Sequence, residues 1–91
     1  MEPVKVGVIG VGHLGHHHAR VYTELFGTQL AGVVDLDEER AASVGENLGV
    51  PFFSNLEHFF ESAKPDAVSV VVPTVHHYEV ARQALERGIH V

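Results

Sequence analysis

Gly10, Gly12 and Gly15 stand at the spacing G-x-G-x-x-G, directly after the β-branched run Val4, Val6, Val8 and Ile9. That run is too short for a helix and reads as a strand buried on both faces of a parallel sheet. Gly10 would allow a tight turn, Gly12 would let a diphosphate approach the backbone without meeting a Cβ, and Gly15 would let the next helix lie close to the strand. A helix starting near His13 then aims the N–H groups of His13 and Leu14, with the positive end of its dipole, at the diphosphate.

Nine glycines in 91 residues make that spacing weak by itself, so its surroundings must decide it. A second apolar run, Leu30 to Val34, ends in Asp35, about 20 residues beyond Gly15. A carboxylate there can accept both hydroxyls of an adenosine ribose and would repel a 2′-phosphate. Neither Leu36 nor Asp37, which follow Asp35 at the same edge, supplies an arginine to hold one. NAD is therefore favoured over NADP. The competing reading makes Asp35 and Asp37 no more than a turn and a helix cap.

The flanking pattern supplies elements to position these residues. Leu14, His18, Val21, Tyr22 and Leu25 fall at helical spacing, so one face of 13–26 is expected to lie on the sheet. Asp37, with Glu38 and Glu39 behind it, caps a second helix that Gly49 ends. Val50 to Phe53 holds Pro51 and reads as a brief edge strand, and Asn55 opens a short amphipathic helix before Lys64-Pro65-Asp66. Ala67 to Val72 is the most strand-like stretch, stopped by Pro73. A last helix is expected from His76 to Arg87, then Gly88, then a further strand beginning at Ile89. Alternating strands and helices imply a Rossmann-type, doubly wound parallel α/β sheet of order 3-2-1-4 with the start of a fifth strand. The crevice opens where that order reverses, so Gly10 to Gly15 should face Val72, Pro73 and Thr74.

Composition narrows the partners. The formal charge is −6, with six Lys and Arg against twelve Asp and Glu, which argues against nucleic acid. Cysteine is absent, the N-terminus lacks a signal-peptide pattern, and no apolar stretch reaches membrane-spanning length. A cytoplasmic protein without a membrane partner is expected. The eight histidines raise a metal hypothesis, since His13, His16 and His17 share a helical face. The expectation is nevertheless no metal site, with His16 and His17 in solvent and His18 a core histidine hydrogen-bonded through both nitrogens.

The glycine turn, His18-Ala19, Asp35, and the pattern Pro73, Thr74, His77, Ala81, Ala84, Gly88, His90, Val91 together resemble the N-terminal cofactor domain of the glucose-fructose oxidoreductase and inositol dehydrogenase family, over essentially all 91 residues. The resemblance implies a full-length NAD-dependent oxidoreductase acting on a sugar, cyclitol or sugar nucleotide, and it assigns His77 to support of the cofactor site. The family's Glu-Lys-Pro motif and its catalytic aspartate and histidine do not occur in this sequence, and Ile89 stands where lysine often precedes His-Val. The domain is thus expected to be truncated, to lack its C-terminal partner domain, to hold no catalytic residues and not to turn over alone. It is also expected to self-associate through the edge Ala67 to Val72. The alternative is a non-catalytic module that senses NAD or another nucleotide.

Overall fold

The computed structural model describes residues 3–91, apart from the side chain of Thr74. Eight elements alternate along the chain. They are β1 (Val4–Ile9), α1 (His13–Glu24), β2 (Thr28–Val34), α2 (Glu38–Leu48), β3 (Phe52–Phe53), α3 (Leu56–Ala63), β4 (Ala67–Val70) and α4 (Thr74–Glu86). The strands form one parallel sheet of order β3-β2-β1-β4. An isolated parallel bridge from Ala67 to His90 starts the next position out, as the sequence predicts.

Each face of the sheet has its own core. Val8 and Val33 pack with Ala19 of α1 and Val44 of α2. Their sheet neighbours Ile9 and Val34 pack with Phe59 and Phe60 of α3 and with Val80 and Ala84 of α4. Successive strand side chains point to opposite faces, so a run of consecutive β-branched residues feeds both cores at once.

Several boundaries differ from expectation for local reasons. Helix α1 stops at Glu24 because the Thr28 hydroxyl donates to the Tyr22 and Leu25 carbonyls, which ends the helix before Phe26. Strand β2 starts at Thr28 because Val4 pairs with it. Strand β4 ends at Val70, after which Val71 N–H donates to the Ile9 carbonyl and the chain turns across Gly10. Pro73 has no N–H to satisfy and sits at the N-cap of α4, so that helix begins at Thr74 rather than His76. The caps Asp37 and Asn55 lie where predicted, accepting from the N–H groups of Arg40 and His58.

The inward face of α1 corrects the periodic reading. Gly15 and Ala19 are buried against the sheet, while Leu14 is 56% exposed and Leu25 is also exposed. The helix lies too close to β1 for a leucine at the contact, so the smallest side chains take it.

Candidate functional site

Strand β1 ends in a turn whose three glycines do different work. Gly10 has φ +93°, and a Cβ there would land on the Val71 carbonyl oxygen. A Cβ on Gly15 would land on the Gly10 carbonyl oxygen, so α1 is pressed against the strand end. Gly12 is unlike both. Its backbone is extended, with φ −65°, and a Cβ there would meet only the Arg40 guanidinium at 3.7 Å. The protein itself does not require a glycine at this position.

Gly12 is the N-cap of α1 and no side chain caps it. The first intrahelical bond runs from His16 N–H to the Gly12 carbonyl, 2.8 Å, so the N–H groups of His13, Leu14 and Gly15 have no intrahelical acceptor. No acidic residue stands in the first turn of α1 to compete with an anion. The side chains of His13 and Leu14 are exposed, so what these residues offer the turn is backbone.

Asp35, at the end of β2, has a side chain only 11% exposed. Its Oδ2 accepts from Val11 N–H at 3.0 Å and its Oδ1 from Asp37 N–H at 2.9 Å, tying the glycine turn to the start of α2. Each oxygen keeps a lone pair for a further donor. Arg40 was not anticipated from the sequence. Its Nη1 lies 3.7 Å from Asp35 Oδ2, placing a cation at the mouth between the two turns. The available signal was its place in the first turn of α2, beside the acidic cap.

A crevice of about 430 Å³ opens between these turns and α4. Gly10, Gly12, Asp35, Leu36, Val72 and Pro73 all line it, bringing together segments far apart in sequence. From α4 it takes His76, Glu79 and Gln83, whereas His77 is exposed and outside the lining. Thr74 is the first residue of α4, and its side chain lies outside the described residues. His18 is half-buried rather than fully in the core. Only its Nδ1 finds a partner among the described residues, the Ser69 hydroxyl at 3.1 Å. His17 is exposed, His16 is partly buried, and no three metal-ligating side chains converge among the described residues. No described helix is long and apolar enough to cross a membrane.

A parallel sheet that reverses order at a glycine turn, with an acidic residue ending the second strand, defines a dinucleotide-binding α/β domain. Comparison with known proteins gives the family. Residues 4–91 match the model described as the oxidoreductase family, NAD-binding Rossmann fold, and the chain belongs to that family. It is 45% identical over 90 residues to UDP-N-acetylglucosamine 3-dehydrogenase of Acidithiobacillus ferrooxidans, covering 99% of this chain and 28% of that protein. Inositol 2-dehydrogenase of Corynebacterium glutamicum is 32% identical over 92 residues, covering 99% of this chain and 27% of the relative. The crystal structure of scyllo-inositol dehydrogenase from Lactobacillus casei with bound NAD(H) and scyllo-inositol superimposes with a TM-score of 0.90 at 28% identity, over 99% of this chain and 27% of that one. The chain therefore spans under a third of the length of these relatives.

Proposed function

We propose that this chain holds the NAD of an oxidoreductase that moves a hydride between the nicotinamide and a hydroxyl or ketone of a sugar, cyclitol or sugar nucleotide. The observation that carries the reading is Gly12. The fold has room for a Cβ there, so the glycine answers to a ligand, and the uncapped N–H groups of His13, Leu14 and Gly15 suit a diphosphate. Asp35 accepts the ribose hydroxyls, Leu36, Val72 and Pro73 line the nucleoside end with Thr74 next in the chain, and His77, outside the crevice lining, supports the site as the family resemblance implies. Bound NAD supplies the hydride carrier. The acid and base that an alcohol oxidation needs are proposed to come from a C-terminal domain outside these residues, in the part of the relatives that this chain does not match.

Calorimetry tests the cofactor assignment. NAD should bind at least about tenfold more tightly than NADP, since Asp35 faces the 2′ position and a tenfold preference needs only about 1.4 kcal/mol. FMN should not bind. A preference for FMN, or no nucleotide binding at all, would overturn the assignment.

We also propose that the chain self-associates through the outer edge of Ala67 to Val72. The bridge to His90 occupies the Ala67 end, leaving the segment from Ser69 onward as the pairing edge. Light scattering should show dimers that dissociate on dilution, and a monomer at high concentration would remove this proposal.

A further inference from the structure

Ser69 is the one polar residue in the run Ala67 to Val72. Its partner in the sheet is Val8, which belongs to the core beneath α1. It therefore faces α1, and the residue it meets is His18, whose Nδ1 lies 3.1 Å from the hydroxyl. Three residues earlier on the same helix, the Cβ position of Gly15 lies 3.6 Å from Val71 Cβ. Residues three apart share a helix face, and residues two apart share a strand face. Helix α1 thus runs along β4 and the residue that follows it, with Gly15 over Val71 and His18 over Ser69. Gly15 has no side chain to fix its place there, whereas the hydrogen bond between His18 and Ser69 is directional.

Both ends of this arrangement adjoin the crevice. At its N-terminus α1 starts from Gly12, which lines the crevice, and the N–H groups of His13, Leu14 and Gly15, without intrahelical acceptors, follow directly behind that lining residue. Beyond Ser69 and the end of β4, the chain runs on into Val71 and Val72, which line the crevice. We propose that His18 is a positioning residue for the dinucleotide site. Through Ser69 it locks the first turns of α1 against β4 and so sets the spacing between the amides that grip a diphosphate and the crevice lining at Val71 and Val72. This rests on the dinucleotide reading above. It gives His18 a task beyond filling space at the edge of the core.

The test compares ligands with and without the diphosphate. Calorimetry with NAD and ADP, and NMR shift titration with adenosine, would be run on the 91-residue chain and on His18→Ala, Ser69→Ala, the double variant and His18→Asn. Asparagine places an amide atom near the imidazole Nδ1. His18→Ala and Ser69→Ala should each weaken NAD and ADP about fivefold, on the scale of one hydrogen bond. Adenosine should change less than about twofold, the double variant should be no weaker than either single one, and His18→Asn should restore binding. Equal loss of all three ligands, additive effects, or unchanged NAD affinity would overturn the proposal while wild-type binding of NAD leaves the site itself standing. Failure of the wild-type chain to bind NAD would instead remove the dinucleotide reading, and this proposal with it. Because His18 and Ser69 approach the bond from different elements, misfolding of one variant leaves the other to decide.

Discussion

A methyl group on Gly15 would have to occupy the place of the Gly10 carbonyl oxygen, which is backbone and cannot rotate away. Gly15→Ala should accordingly cost about 1–3 kcal/mol of stability, as overpacked contacts do, measurable by urea denaturation. A loss below about 0.5 kcal/mol would mean that α1 can lift off the strand. The spacing of the three glycines and their division of labour were both legible in the sequence, but the atoms each one spares were not. A pattern records which positions lack a side chain and cannot record what fills the space. Arg40 escaped for a related reason. Its part depends on the distance between two turns that only the folded sheet brings together.

Helices and strands were legible where a local rule governs them. Asp37 and Asn55 cap as capping chemistry requires, and the order of elements follows from alternating apolar runs. Periodicity failed for α1, because it weights the largest apolar residues while a tight helix–strand contact selects the smallest. It also failed at the start of α4, where Pro73 admits the helix two residues early. His77 was singled out by the family resemblance rather than by periodicity, and it is His76 that lines the crevice. Helix α4 makes a pH prediction of its own. The Arg82 guanidinium, hydrogen-bonded to Glu79, holds that carboxyl below its ordinary 4.5, and Glu86 pairs with the same arginine. A depressed carboxylate pKa contributes stability that is present above 4.5 and lost as pH falls through the lowered value. The difference in thermal midpoint between the wild type and Glu79→Gln should therefore be small, greatest near neutrality, and gone in strong acid. A difference that grows on acidification would contradict the pairing.

At the scale of the molecule, two cores on opposite faces clamp one sheet whose connections cross to different sides. This leaves the strand ends of β1 and β4 splayed around the crevice, the general consequence of reversing strand order. An acidic chain can present an anion site there because the attraction comes from oriented peptide groups at close range rather than from net charge. Gly12 is where fold and ligand can be separated, since a Cβ added there would meet only the Arg40 guanidinium. The most direct measurement is calorimetry of NAD with Gly12→Val, accompanied by the thermal midpoint of the same variant. Gly12→Val should bind NAD at least about tenfold more weakly, roughly the 1.4 kcal/mol that a displaced diphosphate would forfeit at minimum, with a midpoint close to wild type. Unchanged NAD affinity in a folded Gly12→Val chain would contradict the dinucleotide reading.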